Sequence, residues 1–311
     1  MAMKILVTGG AGYIGSVLVP ELLKNGHKVR VLDNLMHEQN PPFIHFIDDN
    51  FEFIDGDIRD METVKKAVRG VDAIIHLAAI VGAPACQKNK ILAEEVNYRG
   101  TVNINKVRNN SQKLIYASTG SVYGKIESIC TETSPTNPLS IYGETKLKAE
   151  REIMQKGNAI AYRFATAFGL SPRLRLDLLP NDLTFQALKN RYAVIYDRHF
   201  KRTFIHVRDI VKSYVFALEN FDNMKNGVYN VGSEKMNKTK EEIAQNIKEK
   251  INFEIYYANT GIPDPDQRNY EVSYQKIRNA GFDTEVTLEK GIEELVKGLR
   301  SVRVKNYFMN L

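Results

Sequence analysis

A doubly wound α/β fold built on a parallel sheet is predicted by three observations. Short apolar, β-branched runs alternate with helical stretches through the first half, a glycine-rich turn follows the first run, and an acid ends the second. Lys4 to Val7, Lys28 to Leu32, Phe51 to Asp55, Ala73 to Leu77, Lys113 to Ser118 and Ala159 to Phe164 read as the strands. Between them Gly12 to Asn25, Met61 to Arg69, Leu92 to Arg108 and Ile141 to Lys156 carry helical periodicity, and Gly157 suits the C-cap of the last. After Phe164 the pattern loosens. Helices are expected at Asp182 to Lys189, Asp209 to Glu219, Lys240 to Ile251 and Leu288 to Arg300, with strands at Ala193 to Tyr196, Thr203 to His206, Gly227 to Val231 and Glu254 to Tyr257. The expected division is a nucleotide-binding domain over residues 1–165 and a smaller α/β lobe over 166–311, some of whose segments can return to the first sheet.

Length and composition agree. The chain has 311 residues, 43% hydrophobic and 26% charged, which excludes disorder and fits two units at ~150 residues each. No Pro-rich linker separates the halves, so a cleft between tightly packed lobes is expected. The net charge of +6 favours an anionic ligand without requiring nucleic acid, and it is concentrated between Arg173 and Lys212, with nine basic against four acidic side chains. The longest uncharged stretches, Ile5 to Pro20 with 16 residues and Ala73 to Gln87 with 15, the latter containing Gly82 and Pro84, fall short of the ~20 apolar residues that span a bilayer. With no apolar signal run at the N-terminus, a cytoplasmic location and no membrane contact are expected. Cys86 and Cys130 lack a CxxC partner and read as buried thiols.

The turn Thr8-Gly9-Gly10-Ala11-Gly12-Tyr13-Ile14-Gly15 satisfies both G-x-G-x-x-G and G-x-x-G-x-x-G directly after a strand and before a helix. Glycines there let the backbone approach a pyrophosphate that rests on the free amides of the helix N-terminus. Asp33 ends the second strand 18 residues after Gly15, the placing of an acid that accepts hydrogen bonds from an adenosine ribose. Its carboxylate repels a 2′-phosphate and no Arg follows before Asp57, so NAD is favoured over NADP.

Tyr142 and Lys146 lie four apart on one helical face, at the carboxyl end of the sheet where such folds bind ligands. Chance gives about one Tyr-x-x-x-Lys in a chain of this composition, so position rather than spacing gives the pair its weight. A phenol with a reference pKa of ~10 becomes a useful base at neutral pH only if its anion is stabilised by about 4 kcal/mol. The lysine ammonium and an oxidised nicotinamide are the two positive groups able to supply this.

Together these segments resemble the extended short-chain dehydrogenase/reductases that act on nucleotide sugars, of the UDP-glucose 4-epimerase kind. The resemblance is carried by Thr8 to Gly15, Asp33-Asn34, Gly56-Asp57-Ile58, His76 to Ala79, Ala117 to Gly124, Tyr142 to Lys146, Arg163 to Thr166, Arg202 to Asp209 and Gly281-Phe282. It implies a Rossmann-type fold with NAD held by Gly9, Gly12, Tyr13, Ile14, Gly15, Asp33, Asn34, Asp57, Ile58, Leu77, Ala78, Ala79, Asn97, Tyr142 and Lys146. It further implies that Thr119 hydrogen-bonds the sugar hydroxyl under oxidation, Tyr142 serves as base and Lys146 holds the nicotinamide ribose. Thr166 falls where 4-epimerases commonly carry Asn. Arg202 and Arg268 match arginines that grip the substrate diphosphate, a task suited to a planar guanidinium. A homodimer through Leu92 to Arg108 and Ile141 to Lys156 is also implied.

The expected reaction is oxidation at C4 of a nucleotide-diphosphate sugar, with return of the hydride to the other face as a 4-epimerase. A 4-dehydrogenase or 4-ketoreductase with net redox is the alternative, favoured by the divergent segment Leu170 to Asp177, and a non-catalytic dinucleotide sensor is the remote one. Gly120 and Ser121 follow Thr119 where 4,6-dehydratases carry an acid, which disfavours dehydration. His206, inside the apolar run Phe204 to Val207, reads as a satisfied core histidine, and no metal constellation is evident.

Overall fold

The first strand, β1 (Lys4–Thr8), buries every residue after Lys4, as a central strand of a parallel sheet covered on both faces must. In the computed structural model, which describes residues 2–126, 128–258 and 270–302, the chain continues through α1 (Gly15–Lys24), β2 (Lys28–Asp33), β3 (Phe51–Asp55), α2 (Met61–Val68) and β4 (Ala73–His76). Then come α3 (Ala83–Lys88), α4 (Lys90–Glu94), α5 (Thr101–Val107), β5 (Lys113–Thr119), α6 (Ile141–Lys156) and β6 (Ala159–Phe164). Asp60 caps α2 by accepting from the Glu62 and Thr63 amides, and Ser140 caps α6 by accepting from Gly143. All strands of this sheet run parallel, with Val7 opposite Val31 on one side and Ile75 on the other. From β1 the chain winds outward to β2 and β3, then returns to β4 on β1's other side. That reversal opens a crevice at the carboxyl ends of β1 and β4.

The second half supplies β7 (Thr166–Phe168), α7 (Leu179–Asn190), β8 (Tyr192–Tyr196), β9 (Lys201–His206), α8 (Val207–Glu219), α9 (Phe221–Met224) and β10 (Gly227–Val231). It ends with β11 (Asn237–Thr239), α10 (Lys240–Lys248), β12 (Glu254–Ala258), α11 (Gln275–Asn279) and α12 (Leu288–Leu299). Strand β10 pairs with β6 and completes the order β10-β6-β5-β4-β1-β2-β3, so the first sheet draws one strand from beyond residue 165. The remaining strands make two small sheets, β11-β9-β7 and β12-β8, whose core includes Phe168, Phe204, Ile243 and Leu295.

Three differences from the expected elements have local causes. Helix α1 starts at Gly15 rather than Gly12, because residues 9 to 14 are spent on the turn. Helix α7 starts at Leu179 rather than Asp182, with Pro180 in its first turn, where a missing amide costs nothing. The helix expected over Leu92 to Arg108 is divided into α4 and α5 by a π-helical turn, Glu95–Gly100, where the side chain of Asn97 is drawn into bonds with the strand end beside it.

Candidate functional site

Both lobes line one cavity of about 670 Å³, floored by the glycine turn. Gly9 has φ +71°, and a Cβ there would meet the Ala78 amide nitrogen at 2.8 Å, so only glycine lets the end of β1 pass under the end of β4. At Gly15 a Cβ would lie 2.5 Å from the Gly9 carbonyl oxygen. Helix α1 has no side-chain cap; its Ser16 and Val17 amides bond the Gly12 and Ile14 carbonyls, which leaves the Tyr13, Ile14 and Gly15 amides of the turn without an acceptor among the described residues, as a ligand site requires.

At the end of β2, where the sequence expects the adenosine ribose, Asp33 is buried and accepts from the amides of Ala11 at 3.0 Å and Leu35 at 2.9 Å. Burial pushes its carboxyl up, opposed by those two amides and by the charge of Arg173. Asn34 donates to Asp57 at 2.8 Å, and Arg59 closes on the same carboxylate at 2.7 and 3.0 Å. Burial works against ionisation of Asp57, but these donors outweigh it and hold its pKa below the usual range. Ile58, Leu77, Ala78 and Ala79 complete this wall.

Thr119, Tyr142 and Lys146 all line the opposite end. Thr119 closes β5, donating to the Ser121 hydroxyl and accepting from the Ser121 amide, both at 3.1 Å. Lys146 is only 2% exposed, with its ammonium 4.2 Å above the ring centre of Tyr116. Burial lowers its pKa to about 7, against the opposing pull of Cys86 and Glu150. No side chain among the described residues accepts a hydrogen bond from it, so this buried cation fits a ligand hydroxyl. Behind it His76 spans Thr8 at 2.6 Å and Thr101 at 2.8 Å, and burial lowers its pKa to about 3, so it is neutral at physiological pH.

The second lobe contributes Thr166 and the buried Arg202. Arg268 lies outside the described residues. Asn97 does not line the cavity: its amide is spent on the Ile80 backbone at 2.7 and 3.0 Å and on Thr145 at 3.2 Å. It therefore positions the wall instead of touching a cofactor. His206 is satisfied, as expected, accepting at Nδ1 from the Arg208 amide and meeting Glu294 at 2.7 Å through Nε2. Arg173, Arg175 and Asp177 also line the cavity without having been singled out as ligands, although they lie in the charge-rich window. Among the described residues no group of three His, Cys, Asp or Glu could hold a metal, and no helix is long and apolar enough to cross a membrane.

Residues 5–232 match the model of the NAD dependent epimerase/dehydratase family. The UDP-glucose 4-epimerase of Lactobacillus helveticus is 30% identical over 258 residues, covering 74% of this chain and 77% of that protein. The crystal structure of Thermus thermophilus UDP-glucose 4-epimerase in complex with NAD is similar with a TM-score of 0.83 and 28% identity, over 97% of this chain and 100% of that one. UDP-glucuronic acid 4-epimerase from Bacillus cereus, in complex with UDP-glucuronic acid and NAD, gives a TM-score of 0.86 and 26% identity, over 96% and 99% of the two chains.

Proposed function

Because the chain belongs to the NAD-dependent epimerase/dehydratase family, with NAD as its cofactor, we propose that it is a nucleotide-sugar 4-epimerase working through a 4-keto sugar. The observation that carries this reading is the meeting of Thr119, Tyr142 and Lys146 in the cavity floored by the glycine turn. NAD, when bound, supplies the acceptor and later the donor of the C4 hydride. Tyr142 takes the proton from the C4 hydroxyl as the carbonyl forms and returns it when the opposite face is reduced, so the sugar ends with an inverted centre and no net redox. Thr119 orients that hydroxyl by turning its own hydrogen from Ser121 toward the cavity and donating it to the C4 oxygen. Lys146, stripped of water and of protein acceptors, favours the phenolate electrostatically. Arg202 fits the substrate diphosphate from the second lobe and Thr166 the sugar; Arg268 is assigned to the same diphosphate from the sequence alone.

Dehydration is disfavoured because Gly120 and Ser121 follow Thr119, and Ser121 lines the cavity with a hydroxyl in place of an acid. Net redox as a 4-dehydrogenase or 4-ketoreductase is the second reading, favoured by the Leu170 to Asp177 segment that contributes two arginines to the wall. The test is a panel of UDP-, GDP-, CDP- and dTDP-sugars with added NAD, following reduced-cofactor absorbance and sugar stereochemistry together. UDP-sugars come first, since the Lactobacillus helveticus and Thermus thermophilus proteins are UDP-glucose 4-epimerases. Inversion at C4 without accumulating reduced cofactor is expected, and stoichiometric reduction of NAD would overturn the epimerase reading. The family resemblance also supports a homodimer through the segments Leu92 to Arg108 and Ile141 to Lys156, and light scattering at micromolar protein would test it.

A further inference from the structure

The segment joining β7 to α7 leaves the second lobe and is fastened to the glycine turn. Tyr13 donates its phenol hydrogen to the Gly169 carbonyl at 2.7 Å, and the Ser171 hydroxyl donates to the Tyr13 carbonyl at 2.7 Å. Ser171 and Ser16 share a hydrogen bond at 2.9 Å between their hydroxyls, and Ser16 accepts from the Arg173 amide at 3.5 Å. From behind, Asn181 accepts from the Gly169 amide at 3.0 Å and donates to the Arg175 carbonyl at 2.8 Å.

This fastening fixes Arg173 in the cavity wall with 7% of its surface exposed. Its guanidinium donates no hydrogen bond to any described residue, whereas its neighbour Arg175 is closed on Asp177, with Nε at 3.0 Å from the carboxylate. A cation this buried and without hydrogen-bonded acceptors is costly, and the cavity is where a balancing anion can lie. The position identifies the anion. Arg173 hangs from Ser16, the residue after Gly15 in the first turn of α1, and its charge is felt by Asp33 and by His37 at the adenosine end. Burial, aided by Arg173 and Arg175, lowers the His37 pKa to about 4, so His37 adds no second cation at neutral pH.

We infer that Arg173 is a ligand of the diphosphate of the bound dinucleotide, contributed across the cleft by the second lobe, and that the cofactor leaves only when the Gly169–Asp177 segment parts from Tyr13 and Ser16. The inference rests on the cofactor assignment and not on the reaction at C4. The test is therefore a binding experiment without sugar. Full-length protein freed of cofactor is titrated with NAD, ADP, adenosine and UDP, for the native sequence and for Arg173→Gln and Arg173→Lys. Arg173→Gln should weaken NAD and ADP at least tenfold while leaving adenosine and UDP within twofold, and Arg173→Lys should recover part of the loss. The rate at which bound NAD is lost to a charcoal trap should rise in the same order. Unchanged ADP affinity, equal losses for ADP and adenosine, or a loss confined to UDP would each overturn the inference. If the Gln variant does not fold, Arg173→Lys is read against the same four ligands, and unchanged ADP affinity in it overturns the inference. A failure here leaves the 4-epimerase reading untouched, and absence of epimerase activity leaves this one untouched.

Discussion

Arg163 reaches from β6 to Glu150 on α6 and closes on it at 2.6 Å, with both side chains less than one-tenth exposed and Glu150 one turn beyond Lys146. Ser118 donates to the other carboxylate oxygen at 2.5 Å, so the strand that ends in Thr119 is tied to the helix that carries Tyr142. Breaking a sealed pair strands one charge, which costs about 3–5 kcal/mol. Glu150→Gln is expected to lower the urea midpoint accordingly, and Glu150→Leu combined with Arg163→Met to recover most of the loss. A single variant as stable as the native protein would show that the pair contributes nothing.

Lys146 carries the opposite stability sign. Its pKa is about 7 in the folded protein, against an ordinary value of 10.5. Between those values the unfolded chain holds a proton that the folded one lacks, so stability from this group rises with pH. The penalty is full below about pH 7 and fades toward pH 10.5. Lys146→Met should therefore be more stable than the cofactor-free native protein at neutral pH by on the order of a few kcal/mol, with the difference shrinking by pH 10. The same variant should lose turnover. Parallel unfolding curves at pH 6.5 and 10 check the sign, and a difference that grows with pH would contradict it.

Tyr142→Phe removes one hydroxyl from the cavity wall and leaves the α6 cap at Ser140 and the Lys146 cavity in place. Turnover with any active nucleotide sugar should fall ~10²–10⁴-fold, the usual worth of a positioned proton acceptor, with NAD affinity changed little. Single-turnover kinetics and equilibrium binding separate the two quantities. A variant that keeps most of its turnover would remove Tyr142 from the proton path.

The strands of the main sheet were legible to within one residue because strands buried on both faces must be continuously apolar. Ile5 to Val7 in β1, apolar and fully buried, is the clearest case. Sequence period cannot say which sheet a strand joins, so Gly227–Val231 was visible as a strand but not as the partner of β6. The π-helical turn at Glu95–Gly100 was hidden because its cause is tertiary: Asn97 bonds Ile80, 17 residues away, instead of facing the cofactor cavity. Arg173 was hidden for the same reason, since its place depends on Ser171 meeting Tyr13 across 158 residues of chain. Glycine positions in the cavity floor were readable because local backbone geometry restricts them to few residue types, as at Gly9.

We propose that Asp33 sets the choice of cofactor, its carboxylate serving two ends. It holds the Ala11 amide of the glycine turn at 3.0 Å, and, buried at the end of β2, it would repel the 2′-phosphate of NADP from the ribose that the sequence assigns to it. Asp33→Ala abolishes both. Loss of the amide contact and of the ribose acceptor should weaken NAD by roughly 10–100-fold, as expected when hydrogen bonds to a charged group worth about 1.5–3 kcal/mol are removed. NADP gains from the lost repulsion and from the nearby positive charge of Arg173, which Asp33 now partly offsets. The NAD-to-NADP affinity ratio should therefore fall by at least tenfold, more at low salt than at high salt because screening weakens the charge contribution. Titrating both dinucleotides at two ionic strengths measures this, and an unchanged ratio would mean that Asp33 shapes the turn without selecting the cofactor.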